Sequence, residues 1–164
     1  MHLGTLMKRD QRTILHIDDD PAILRFVSAG LSQHGYDVIS LSDPTLAGQK
    51  LLESDASVVL MDVDMPQIDG LTLLKQLKAQ DGGVQVIMVT GLVSMSTVLR
   101  SMRYGAEACV FKPITDLSAL LRCVNACFVK LDRWWDTLIE LRSLKRQELG
   151  QTKADTSAAV MQAE

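Results

Sequence analysis

Five short apolar runs, at 13–18, 36–41, 57–62, 84–90 and 107–111, are separated by segments whose apolar residues recur at helical spacing. Nothing else in the chain restricts the fold as tightly. The runs are nearly continuous in Val, Ile, Leu and Met rather than alternating with polar residues, which is the pattern of parallel strands covered on both faces. Helix starts are marked twice by the same dipeptide. Asp20 precedes Pro21 and Asp43 precedes Pro44, so an Asp caps each helix and a proline fills its first position, where the missing N–H is not needed. A third helix is predicted over roughly 70–80, capped by Asp69 and stopping before Asp81-Gly82-Gly83. A fourth is predicted over roughly 95–104, ending at Gly105, a natural residue for the left-handed helix terminus. Five strand–helix units imply an α/β protein with a doubly wound parallel sheet, right-handed crossovers and strand order 2-1-3-4-5.

The composition allows this and excludes several functions. The chain has 164 residues, 47% of them hydrophobic, enough for one domain plus an appendage. A formal net charge of -3 is too weak a field to draw in nucleic acid or an anionic membrane, so neither is expected as a direct partner. No apolar run approaches the ~18 residues of a membrane span, and residues 1–11 lack the apolar stretch of a secretory signal. The cysteines are Cys109, Cys123 and Cys127, an odd set without framework spacing, which points to reduced thiols and the cytoplasm. Cys123 and Cys127, one helical turn apart, read as small buried hydrophobes; as metal ligands they would lack a second pair.

After Pro113 the pattern changes. Residues 117–149 contain neither Gly nor Pro, and an apolar stripe runs Leu121, Val124, Phe128, Leu131, Trp135, Leu138, then meets Arg142 and Lys145. Trp134 and Leu141 broaden it. The first part serves as the fifth helix of the sheet domain, over 12–130. The second, 131–149, extends beyond what five units need and forms a helical extension, a candidate coiled coil. An apolar face there is buried on its own domain, in a homodimer seam or against a partner helix. Phe128, Leu131, Trp134, Trp135, Leu138 and Leu141 are the candidate interface residues. Residues 150–164 read as a flexible tail.

The chemistry gathers where the strands end. Strand 1 ends in Asp18-Asp19-Asp20, strand 3 in Asp62-Val63-Asp64, strand 4 in Thr90-Gly91 and strand 5 in Lys112-Pro113. In the order 2-1-3-4-5 these ends converge on the carboxyl edge of the sheet, where open α/β folds bind ligands. Clustered carboxylates repel unless a cation sits among them, and Mg²⁺ takes oxygen ligands while keeping several waters. A carboxylate beside Mg²⁺ can attack a phosphoryl group to give an acyl phosphate, while a Lys and a hydroxyl stabilise the charge on the transferred group.

These motifs, Ile14-Leu15-His16-Ile17-Asp18-Asp19-Asp20-Pro21, Val59-Leu60-Met61-Asp62-Val63-Asp64-Met65-Pro66, Asp69-Gly70, Met88-Val89-Thr90-Gly91 and Gly105-Ala106 through Lys112-Pro113, stand in one order. In that order the chain resembles the receiver domain of a two-component response regulator over roughly residues 12–130. The resemblance implies a flavodoxin-like (βα)5 fold and a set of roles. Asp62 would be the phosphoacceptor. Asp19 and Asp62 would ligate Mg²⁺ directly, with the backbone carbonyl of Asp64, and Asp18 would act from the outer shell. Thr90 would bond a phosphoryl oxygen, Lys112 would pair with Asp62 or its phosphoryl group, and the bond before Pro113 would be cis. The donor would be a histidine kinase or a histidine phosphotransfer protein, in phosphorelay signal transduction. The receiver would be no enzyme beyond Mg²⁺-dependent self-phosphotransfer and autodephosphorylation.

Several positions carry structural readings. Met61, Met65 and Met88 are core filler, Gly70 and Gly105 serve backbone geometry, and His16 is expected to be a hydrogen-bonded structural histidine. One position departs from the family: where Tyr or Phe usually swings inward, this chain has Cys109, with Phe111 on the same side of the strand as a substitute. Leu92, two residues past Thr90, sets an apolar group near the phosphoryl site and bears on its lifetime. The stretch after 130 is too short for a winged helix or an effector enzyme. The chain is therefore read as a stand-alone receiver or the amino-terminal part of a longer regulator, acting through a downstream protein target or an output domain. Two other functions compete. Asp62-Val63-Asp64 resembles the Asp-x-Asp of haloacid-dehalogenase-type phosphatases, although that motif normally sits on the first strand. A receiver-like scaffold that is never phosphorylated is the other.

Overall fold

The computed structural model describes residues 12–92 and 94–161, with side chains through Leu149. Residues 1–11 and the end of the tail, 162–164, lie outside the described residues. The strands are β1 (Thr13–Ile17), β2 (Asp37–Leu41), β3 (Val58–Met61), β4 (Gln85–Thr90) and β5 (Ala108–Phe111). They form one parallel sheet in the order β2-β1-β3-β4-β5. The helices between and after them are α1 (Pro21–Gln33), α2 (Ala47–Glu53), α3 (Gly70–Gln80), α4 (Met95–Arg103) and α5 (Ser118–Met161). This is the flavodoxin-like (βα)5 architecture with a helical extension.

Both faces of the central strands are buried, as the continuous apolar runs require. Leu15, Ile17, Val59, Met61, Val86 and Met88 join one core cluster with Ala47 and Leu51 of α2 and Leu71, Leu73, Leu74 and Leu77 of α3. The alternate positions Ile14, Val58, Leu60, Ile87 and Val89 are fully buried too, on the opposite side of the pleat. The second layer includes Leu24, Val27 and Leu31 of α1 and Leu120 and Val124 of α5, all buried. Tyr36 stacks on Phe128 at 5.5 Å between ring centroids, and the Arg12 guanidinium lies 5.5 Å from the same ring.

The local signals act as expected. Asp20 accepts from the Ala22 N–H at 2.8 Å, Asp43 from the Thr45 N–H at 2.9 Å, and Asp69 from the Thr72 N–H at 3.1 Å. Met61, Met65 and Met88 are buried, and Gly105 takes φ +91°. The start at Pro44 differs in kind. Pro44–Leu46 form a 3-10 turn before α2 begins at Ala47. The Asp43 cap and the proline fix the entry, and a tightened first turn is a common way for a helix to begin.

Two expectations about the C-terminal part are corrected. Phe128 is not an interface residue: it is buried and stacked within the receiver. The stretch 150–164 does not begin as a tail, because α5 continues to Met161. A lone Gly150 disfavours a helix by only about 1 kcal/mol, and the Ala-containing, proline-free segment after it tolerates that. The chain divides into a compact unit through Phe128 and a second unit beginning at Val129.

Candidate phosphoacceptor site

Parallel pairing sets the site. Ile17 of β1 registers with Met61 of β3, so the residues immediately after them, Asp18 and Asp62, leave the sheet side by side. Backbone bonds extend the ladder past both strand ends: the Asp18 N–H donates to the Leu41 carbonyl at 3.2 Å, and the Asp62 N–H to the Ile17 carbonyl at 3.2 Å. On the other side, Thr90 registers with Phe111, and the Lys112 N–H donates to the Thr90 carbonyl at 3.0 Å. Lys112 is thereby aimed at the two carboxylates. The Lys112–Pro113 peptide bond is cis.

The Lys112 ammonium donates to Asp18 Oδ2 at 2.7 Å and to Asp62 Oδ2 at 2.8 Å. Asp18 is fully buried and Asp62 nearly so, while the Lys112 side chain keeps 16% of its exposure. The remaining oxygens are held by backbone: Asp18 Oδ1 accepts from the Asp20 N–H at 2.9 Å, and Asp62 Oδ1 from the Asp64 N–H at 3.2 Å. Asp19 is exposed at the rim, and carboxylate oxygens of Asp18, Asp19 and Asp62 lie within 4.8 Å of one another. Burial pushes the Asp18 carboxyl above its ordinary range; the Lys112 bond opposes that shift without cancelling it, and the nearby Asp62 charge adds to it. For Lys112, burial alone would lower the pKa, but the bonds and charges of Asp18 and Asp62 outweigh it and raise it. The ammonium is therefore fixed as a cation.

Three carboxylates share one ammonium, which leaves the cluster with excess negative charge. All of its donors are hard oxygens open to the rim through Asp19. That donor set matches Mg²⁺.

The remaining expected residues are placed as follows. Thr90 is buried, and its hydroxyl accepts from the Leu92 N–H at 3.0 Å rather than bonding to Asp62. Leu92 is exposed. Cys109 is half-buried against the core cluster; burial raises its thiol pKa, with a Ser101 bond opposing, so it stays a thiol. Phe111 is 43% exposed and does not fill the place of an inward aromatic. Leu131 and Trp135 are half-buried, and Trp134, Leu138 and Leu141 are exposed.

Two features were not read from the sequence. The direct Lys112–Asp18 bond is one: the sequence shows three charges at strand ends but not which pair touches. Gly70 is the other. A Cβ there would run into the backbone of Asp62 and Val63, so its small size lets α3 approach the phosphoacceptor loop. The only available signal was Asp69-Gly70 following a strand end.

His16 is corrected. It is fully buried, and neither ring nitrogen has a hydrogen-bond partner among the described residues. Desolvation holds its pKa down to about 4, with the Lys112 charge acting the same way and Asp62 against it. It is a neutral core side chain, not a hydrogen-bonded one.

Comparison with known proteins agrees with this geometry. The family model described as the response regulator receiver domain matches residues 14–125. The DNA-binding dual master transcriptional regulator RpaA of Synechocystis is 32% identical over 73% of this chain and 50% of its own length. The C4-dicarboxylate transport transcriptional regulatory protein DctD of Pseudomonas aeruginosa is 35% identical over 70% of this chain and 25% of its own. The chain thus spans half or less of the length of these curated relatives. A CheY-like receiver domain protein from Methanospirillum hungatei superposes with a TM-score of 0.71 at 28% identity, covering 75% of this chain and 98% of that one. Nothing in these relatives supports the phosphatase alternative. Nor do they support the expectation that nucleic acid is no direct partner, since one is named as DNA-binding. Among the described residues, no helix is long and apolar enough to cross a membrane. The chain belongs to the receiver-domain family of response regulators.

Proposed function

We propose that Asp62 accepts a phosphoryl group from a histidine kinase or histidine phosphotransfer protein, and that the acyl phosphate switches the protein contacts of this receiver. The observation that carries this reading is the bridging of Asp18 and Asp62 by one ammonium, Lys112, beside a third carboxylate. A purely structural ion pair would need only one of those acids.

The transfer is an in-line displacement. An Asp62 oxygen attacks phosphorus, the O–P bond forms, the P–N bond to the donor imidazole breaks, and its electron pair returns to that nitrogen. Asp19 and Asp62, with the backbone carbonyl of Asp64, would hold Mg²⁺, and Asp18 would orient its water from the outer shell. When bound, the ion neutralises charge on the oxygens of the transferred group. Lys112 exchanges its contact with Asp62 Oδ2 for a phosphoryl oxygen while Asp18 keeps it in place. The Thr90 hydroxyl turns from the Leu92 N–H to donate to another phosphoryl oxygen. Water attack on phosphorus returns Asp62 to a carboxylate and releases phosphate, and exposed Leu92 borders the approach.

The readout is a shift between two surface arrangements that phosphorylation biases. The named relatives are transcriptional regulators, which supports an output domain or a downstream target in gene control. A second reading, a scaffold that is never phosphorylated, is favoured by Cys109 alone, since no inward aromatic completes the switch.

The test is intact mass after incubation with acetyl phosphate and Mg²⁺, alongside EDTA and Asp62→Asn. Gain of one phosphoryl group, lost in both controls, supports the switch. No gain, with no gain from a phosphorylated histidine phosphotransfer protein either, leaves the scaffold.

A further inference from the structure

We infer that the part of α5 beyond Phe128 forms an antiparallel pair with the same helix of a second copy of this chain. This does not depend on the phosphoacceptor reading. Trp134, Leu138 and Leu141 follow one another at spacings of four and three and are each about half exposed or more. An apolar stripe at this spacing is the seam of a two-helix coil. Past Leu141 the same seam reaches Lys145 and Glu148.

Charge decides the occupant and its direction. In a parallel, in-register pair, Lys145 would meet Lys145 and Glu148 would meet Glu148 within the seam. Like charges held together there are destabilising. Inverting the second helix removes both like-charge meetings, and Glu148 then lies opposite Leu131 at the open end of the seam. Leu138 then faces Leu141 of the second copy, twice by symmetry. Trp134 faces Lys145, placing an ammonium over an indole, and Trp135 lies beside Arg142. The segment 130–140 has three acids against two bases, and 141–149 has three bases against one acid, so the inverted halves attract. The stripe is complementary to itself only when reversed. From Leu131 to Leu149 it spans about 27 Å at the helical rise per residue, a short seam that gives a reversible dimer.

The test is sedimentation equilibrium of the full chain over a wide concentration range, with Lys145→Glu and Leu138→Asp, plus disulfide cross-linking of two differently tagged chains carrying Leu138→Cys and Leu141→Cys. The expected result is a concentration-dependent dimer. Lys145→Glu, which keeps helix propensity, should weaken it roughly tenfold by removing two symmetric indole contacts. Leu138→Asp should leave a monomer. Mixed cross-links between the 138 and 141 chains should exceed self-cross-links of either, judged against the chain with only its native cysteines. Acceptance of a phosphoryl group, or an unchanged unfolding curve of the receiver, reports that each variant is folded. A monomer at all concentrations, a dimer indifferent to both substitutions, or a dominance of 138–138 and 141–141 self-links would each overturn the inference. The first would assign the face to a different partner, the second would move the dimer elsewhere, and the third would make the pair parallel.

Discussion

Replacing His16 by Leu should stabilise the protein, and more so in acid. His16 sits on β1 at zero exposure with no partner for either ring nitrogen among the described residues. Burying an imidazole donor and acceptor without partners costs roughly 1–3 kcal/mol, which Leu, of similar size, does not incur. The pH term adds to this. The folded pKa is depressed, from 6.5 to about 4, so the folded state binds fewer protons than the unfolded chain between those values. Stability is unaffected by this group above the unfolded pKa. It falls as pH drops through the window, and the loss is complete below the folded pKa. A shift of this size corresponds to about 3 kcal/mol in full, and to about 2 kcal/mol by about pH 5. Urea unfolding of wild type and His16→Leu at about pH 7.5 and about pH 5 isolates the effect, because other titrations cancel in the difference. The gain on substitution should be about 2 kcal/mol larger at the lower pH. A gain that does not change with pH, or a variant less stable at both, would refute the reasoning.

Other residues give equally specific expectations. Lys112→Ala leaves two buried carboxylates without their cation, and should cost about 3 kcal/mol in metal-free urea unfolding, with part of the loss recovered on adding Mg²⁺. Gly70→Ala should destabilise by about 2 kcal/mol and slow phosphoryl acceptance, because the new methyl presses on the backbone of Asp62 and Val63; wild-type behaviour in both assays would show that the loop yields freely. Cys109→Tyr restores the aromatic usual in the family, and should increase the difference in partner affinity or assembly between phosphorylated and unphosphorylated forms. No change would mean that Cys109 does not shape the switch.

What the sequence conveyed, and what it did not, follows from the range of the interactions involved. Strands β1 and β3 were legible because both of their faces are buried, which leaves an apolar run in the chain itself. Asp18 and Asp62 were legible because acids directly after such runs land on one sheet edge. The Lys112–Asp18 bond was not, since Lys112 is brought to that edge through β4 and its register, a tertiary fact. His16 misled because a partnered and an unpartnered histidine look the same inside an apolar run. Phe128 misled for a related reason. The stripe along α5 keeps one period from Leu121 to Leu138, so nothing local marks where packing on the sheet gives way to an exposed face.

The central claim, that Asp62 is the carboxylate that takes the phosphoryl group, is tested most directly by trapping. Borohydride reduces an acyl phosphate to the alcohol, so phosphorylated protein treated with it carries homoserine at the modified aspartate, which peptide mass mapping locates. Homoserine is expected at position 62 alone, dependent on Mg²⁺ and on prior phosphorylation. Homoserine at position 18 or 19 instead, or a phosphorylated protein with Asp62 unmodified, would contradict it.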